Sequence, residues 1–281
     1  MPAWICVTCG VQQPESDQPP DGCAICLDER QYVGWQGQQW TTQAELGRDH
    51  ENEVRQEEPG LWGIGTKPSF GIGQRALLVQ STHGNVLWDC VSLLDETSVA
   101  AIGELGGIAA ICCSHPHFYG ACVDWSDAFE APIYLPAADR EWVMRPHARL
   151  VMFEADSMEP VPGLTLARIG GHFDGAAVLH WPEGADGRGA LLTGDTVTVA
   201  HDRRFVSFMW SYPNLIPLDE TTVRQIADRV ARFRFDRVYG GWWGRVVVGD
   251  GAEAVRRSAD RYVQRLKGKP ARPPDERSSY A

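Results

Sequence analysis

The chemistry in this chain begins at Ser114-His115-Pro116-His117-Phe118-Tyr119-Gly120, which follows the apolar run from Ile108 to Cys113. Two histidines two positions apart, just past a strand end, can turn both imidazoles toward one point. That makes half of a metal site. His172, in Gly170-Gly171-His172-Phe173-Asp174-Gly175, and Asp195, in Leu191-Leu192-Thr193-Gly194-Asp195-Thr196, supply the other half. Three neutral imidazoles with one carboxylate suit Zn²⁺, with Fe²⁺ as the alternative. A single metal held this way can make a water nucleophilic at neutral pH.

A second set of ligands lies at the N-terminus. Cys6-x2-Cys9 and Cys23-x2-Cys26 are separated by thirteen residues. Four thiolates at this spacing close a tetrahedral shell, as structural zinc requires. With Trp4 before the first pair, the segment also resembles rubredoxin-type modules, for which iron is the implied metal. Residues 1–36 are too polar to bury much apolar area, so the metal is expected to supply their folding energy. The other cysteines, Cys90, Cys112, Cys113 and Cys122, read as small buried hydrophobes.

The elements that must position these residues follow from periodicity and turn signals. Residues 37–60 are polar and charged, and read as a linker with a short helix. Residues 76–80 and 85–90 form a hairpin about His83-Gly84, and a helix spans 97–105. A short helix is expected at 139–144, and strands at 150–153, 164–169, 176–181, 190–193 and 237–239. Val223, Ile226, Ala227 and Val230 recur at helical spacing behind Asp219 or Thr221, and Val255 to Leu266 form a last amphipathic helix. The tail after Gly268 is expected to fray.

At 281 residues and 43% hydrophobic content the chain fits one large α/β domain plus a small module. A net charge of −11 disfavours nucleic acid and anionic membranes as partners. There is no long apolar run and no secretory leader pattern, so a reduced, cytoplasmic protein acting on a small molecule is expected. A homodimer is compatible with the sequence.

In order and spacing, residues 61–281 resemble the metallo-β-lactamase superfamily. The marks are Trp88-Asp89-Cys90, the His-x-His strand end, the Gly-His-x-x-Gly turn and Thr-Gly-Asp. The resemblance implies a four-layer αββα sandwich with His115, His117 and His172 on one metal and Asp195 on its other side. It also implies that Asp89 supports a ligand histidine from behind. The family's His-x-His-x-Asp-His motif is broken, with Tyr119 and Gly120 in its last two positions. The region of the family's final histidine is Tyr239-Gly240-Gly241-Trp242-Trp243-Gly244. A mononuclear centre is therefore expected.

The implied activity is a metal-dependent hydrolase of an ester, thioester, amide or lactone. Tyr119, Asp195 and His201 are candidates for proton transfer or hydrogen bonding. His201, Phe205, Phe208, Met209, Trp210 and Tyr212, with Trp242 and Trp243 opposite, are expected to wall the pocket. The alternatives are a mononuclear iron oxygenase like the superfamily's persulfide dioxygenases, using His115, His172 and Asp195, and a degenerate scaffold that acts through binding.

Overall fold

The computed structural model describes residues 1–269. The tail past Gly268, expected to fray, lies almost wholly outside the described residues. Near the N-terminus, β1 (Ala3–Cys6) pairs antiparallel with β2 (Gln12–Glu15) and, on its other side, with β3 (Trp40–Thr41). Between them a one-turn helix, α1 (Ala24–Leu27), starts at Cys23, and α2 (Gln43–Asp49) follows β3, capped by the Thr42 side chain.

The first large sheet runs in chain order. It comprises β4 (Glu51–Glu58), β5 (Leu61–Lys67), β6 (Arg75–Val79), β7 (Val86–Trp88), β8 (Ala110–Cys112), β9 (Ile133–Pro136) and β10 (Leu150–Phe153). Pairing is antiparallel from β4 to β7 and parallel from β7 to β10, with α3 (Glu96–Glu104) as the crossover from β7 and α4 (Cys122–Phe129) as the crossover from β8.

The second sheet contains β11 (Ser157–Val161), β12 (Leu164–Arg168), β13 (Ala177–Trp181) and, beyond a one-turn segment α5 (Gly184–Gly187), β14 (Ala190–Gly194). Two ribbons follow: β15 (Thr198–Val199) with β16 (Val206–Ser207), and β17 (Met209–Ser211) with β18 (Ile216–Pro217). After α6 (Glu220–Val230) the chain returns as β19 (Arg237–Gly240), parallel to β14, then β20 (Val246–Val247) and the last helix α7 (Gly251–Leu266).

Burial on β6 shows why there are four layers. All five of its residues are buried, so both faces of the sheet must be covered. Successive side chains alternate faces. Leu77 and Val79 meet Leu166, Leu179 and Leu192 of the second sheet between the two sheets, while Ala76 and Leu78 join the outer cluster with Ile102 and Trp125. On the far side, Val223, Ile226, Val255 and Val263 of α6 and α7 cover the second sheet through Val178, Leu191 and Val238.

Three sequence expectations change. The stretch read as a linker, 37–60, carries β3, α2 and β4, and β4 is an edge strand of the first sheet. Its run of charged residues hid it, because an edge strand leaves Glu51, Arg55 and Gln56 exposed while Asn52 and Glu58 are buried. The four-cysteine segment is not a separate unit either. Its cysteines, Val11 and Ile25 belong to one apolar cluster with Val91, Ala121 and Val123, and Ile5 packs with Leu46 and Leu93. Finally, 139–144 is replaced by a 3₁₀ segment, Ala137–Trp142. The descriptions agree closely for the hairpin, for α3 and for the strands that lead into the histidines and Asp195. Among the described residues no helix is long and apolar enough to cross a membrane.

Candidate metal centres

Each predicted ligand sits where a strand stops. His115 and His117 follow β8, His172 lies in the loop between β12 and β13, and Asp195 follows β14. The strand ends meet at one edge of the sandwich, and one ligand atom from each of the four residues lies within 4.8 Å of the others. His115 Nε2 is 3.1 Å from Asp195 Oδ1, His172 Nε2 is 3.9 Å from the same oxygen, and His172 Nε2 is 3.2 Å from His117 Nδ1. A tetrahedral zinc with bonds of ~2.0–2.1 Å spaces its ligand atoms by about 3.3 Å, so the four atoms already stand near coordinating separations.

The backbone around these ligands is shaped for the purpose. Gly194 lies at φ 56°, and a Cβ there would come 2.3 Å from Ser114 Oγ, so the Thr-Gly-Asp turn needs its glycine. Gly120, in the position of the family's second histidine, lies at φ 51°, where a Cβ would be 2.5 Å from the Cys90 carbonyl. Its own carbonyl accepts the Gln12 N–H at 3.1 Å. The cysteine segment thus docks on Gly120 through Gln12.

The ring tautomers are set from behind. His172 Nδ1 lies 3.1 Å from the Met209 carbonyl, which can only accept, so Nδ1 carries the hydrogen and Nε2 faces the cluster with its lone pair. Ser114 Oγ lies 3.0 Å from His115 Nδ1. Asp89, expected to hydrogen-bond a ligand histidine, instead takes the backbone beside one: its Oδ1 accepts the Ser114 N–H at 2.7 Å.

Burial holds all three histidines in the neutral form that metal ligation needs. His115 and His117 are pushed well below the ordinary imidazole range, and His172 down to about 4. Burial, with Asp89 nearby, pushes Asp195 up to about 8. His115 Nε2 and Asp195 Oδ1, both in the quartet, are buried without a hydrogen-bond partner. Lone pairs and a carboxylate oxygen crowded together in an apolar setting are what a divalent cation satisfies, and the residues fit one.

The cysteines fit a second metal. Cys6 and Cys26 Sγ are 3.5 Å apart, Cys9 and Cys23 Sγ 3.7 Å, and all four sulfurs lie within 4.8 Å of one another. Zinc–sulfur bonds of ~2.3 Å place tetrahedral sulfurs about 3.8 Å apart. Gln38 Nε2 donates to Cys6 Sγ at 3.2 Å and thereby steadies a thiolate.

A roof that the sequence did not disclose covers the histidines. Phe173 stacks on His115 with centroids 5.6 Å apart and meets His117 and His172 edge-on at 5.0 and 5.1 Å. The Arg30 guanidinium lies 3.8 Å above Phe173, 4.7 Å from Trp210 and 5.0 Å from Trp142. Of the expected wall, Met209, Trp210 and Tyr212 do reach this region, and Tyr212 donates its hydroxyl to the Asp195 carbonyl at 2.8 Å. Trp242 touches it through Phe118, whose ring is 4.8 Å from His115. Others sit elsewhere. His201 is exposed on Arg245, Phe205 lies under Arg261, Phe208 packs on Tyr262, and Trp243 lies over the glycines of β5 beneath Arg55. The Tyr119 hydroxyl is buried without a partner, in the field of Asp139, Cys113 and Cys122.

No family model matches the chain. The uncharacterized protein YmaE of Bacillus subtilis (strain 168) is 48% identical over 268 residues, which cover 95% of this chain and 97% of that protein. The chain belongs to the YmaE family. Solved structures with the same architecture are metallo-β-lactamases. VMB-1 superposes with a TM-score of 0.59 at 13% identity, over 77% of this chain and 98% of that one. DIM-1 gives 0.58 at 16%, over 75% and 97%. FIM-1 of Pseudomonas aeruginosa, in its mono-zinc form, gives 0.53 at 16%, over 75% and 96%. This member of the YmaE family therefore has the metallo-β-lactamase fold, joined to a four-cysteine segment.

Proposed function

We propose that the chain is a mononuclear metal-dependent hydrolase, acting on an ester, thioester, amide or lactone, with a second, structural metal on its cysteines. The observation that carries this reading is the convergence of His115 Nε2, His117 Nδ1, His172 Nε2 and Asp195 Oδ1 in one buried cluster at the edge of the sandwich. Among the described residues no further His, Cys, Asp or Glu joins that group, which supports one metal rather than two. FIM-1, which shares the fold, has itself been solved in a mono-zinc form. Zinc is the reading for both centres, with iron as the alternative.

A metal held there would polarise a carbonyl and lower the pKa of a water. The chain's own part is to orient the rings through Ser114 and Met209, to exclude bulk water with Phe173, and to offer the other oxygen of Asp195 as a proton acceptor. A second reading has one specific observation behind it. Three imidazoles and a carboxylate complete a tetrahedron, and the ligands are buried beneath Phe173, as in a closed structural site. In that reading the core is a scaffold that acts through binding.

The test is turnover by zinc-loaded full-length protein on a panel of esters, thioesters, amides and lactones, beside its Asp195→Ala variant. Turnover that the variant loses supports the hydrolase. A silent panel from protein with zinc at the histidines supports the scaffold, and iron there with oxygen uptake supports the oxygenase.

A further inference from the structure

Arg30 stands between the cysteine cluster and the histidine cluster. It follows Cys26 by four residues, and its side chain is 10% exposed. The loop that carries it is tied to the segment beside the histidines. Ser211 Oγ donates to the Arg30 carbonyl at 3.1 Å, and Asn214 Nδ2 donates to the Glu29 and Gln31 carbonyls at 2.9 and 3.0 Å. That same segment holds His172 through the Met209 carbonyl and meets Asp195 through Tyr212.

All three nitrogens of the guanidinium donate within the protein. Nε and Nη2 grip the Asp28 carboxylate at 2.6 and 3.0 Å, Nη1 reaches the His172 carbonyl at 3.4 Å, and Phe173, Trp210 and Trp142 surround it. It is built as a bolt.

We propose that Arg30 is a positioning residue that latches Phe173 and the 209–214 segment over the histidine centre, so that the metal on Cys6, Cys9, Cys23 and Cys26 governs exchange at His115, His117, His172 and Asp195. The proposal rests on the reading of the quartet as a metal centre. With the cysteine metal in place, the 27–31 loop is anchored at Cys26 and the bolt is home. With that metal removed, the anchor is lost, Arg30 withdraws, and Phe173 is free to lift from the imidazoles.

The experiment measures zinc release from zinc-loaded full-length protein to a chromogenic chelator, with 4-(2-pyridylazo)resorcinol as the indicator. His115→Ala with His172→Ala identifies the histidine phase. Arg30→Met keeps the apolar stem but removes the fork, and the histidine phase is expected to accelerate by at least about tenfold, the usual scale for a lost supporting contact, while the cysteine phase is unchanged. Arg30→Lys, which restores a charge, should fall between. Prior removal of the cysteine-bound zinc with p-hydroxymercuribenzoate should speed the histidine phase in the wild type to the Arg30→Met rate and change that variant no further.

An unchanged histidine phase in Arg30→Met overturns the latch. So does equal acceleration of both phases with a lowered melting temperature, which marks Arg30 as merely structural. Absence of any histidine phase in the wild type overturns the metal reading itself, and the latch with it.

Discussion

Removal of residues 1–36 should unfold or loosen the rest of the chain. The segment contributes Ile5, Val11 and Ile25, all at 2% exposure or less, to clusters shared with Leu46, Leu93, Val91 and Ala121. Fully burying one such side chain is worth about 1.5–3 kcal/mol, so the three together bring about 5–9 kcal/mol. Whole domains are stable by only about 5–15 kcal/mol.

The deletion also strips polar partners from buried groups. Ser92 Oγ loses the Gly10 carbonyl at 2.7 Å, the Gly120 carbonyl loses the Gln12 N–H, and Asp124 loses the Gln12 side chain at 2.7 Å. The assay compares the 37–281 fragment with the full chain by thermal melting in circular dichroism and by binding of a hydrophobic dye. The fragment should show no cooperative melt near that of the full chain, and should bind dye at room temperature. A fragment that melts cooperatively within a few degrees of the full chain would refute the shared core.

Two smaller changes test the support of the histidines and a buried acid. Ser114→Ala removes the hydroxyl 3.0 Å from His115 Nδ1, and zinc affinity of the histidine centre should fall by about 10–100-fold in a competition titration while the cysteine zinc stays. Asp139 accepts the Gly175 N–H at 2.7 Å, and burial pushes its carboxyl up to about 7 from 3.8. A raised carboxyl stabilises the fold fully below its unfolded pKa and loses that contribution as pH rises through 7. Between pH 4 and pH 8 wild-type stability should therefore fall relative to Asp139→Asn, by up to about 4 kcal/mol at 1.36 kcal/mol per unit, in denaturant melts. Parallel pH profiles for the two proteins would count against it.

The candidate quartet was legible in the sequence because its residues stand at strand ends. Apolar runs stopping at His115, at His172 and at Asp195 carry their own placement, because a buried strand must leave the core at a polar residue. Cys-x2-Cys pairs carry theirs in spacing alone. What stayed hidden depends on distance along the chain. Arg30 meets the His172 carbonyl across 142 residues, and nothing near Asp28-Glu29-Arg30 marks it as the roof of a site. Phe173 reads as one more aromatic beside a ligand until the fold lays it across three imidazoles. β4 was obscured because an edge strand tolerates charge. His201 and Trp243 show the converse: their types suit a pocket wall, but the ribbons and β5 draw them to other surfaces.

The most direct test of the central claim is zinc content per chain, by plasma mass spectrometry, of the full-length protein and of His115→Ala with His172→Ala. Two centres predict two zinc ions in the wild type and one in the double variant. The same zinc content in both proteins would contradict the account, since the buried quartet would then hold no metal.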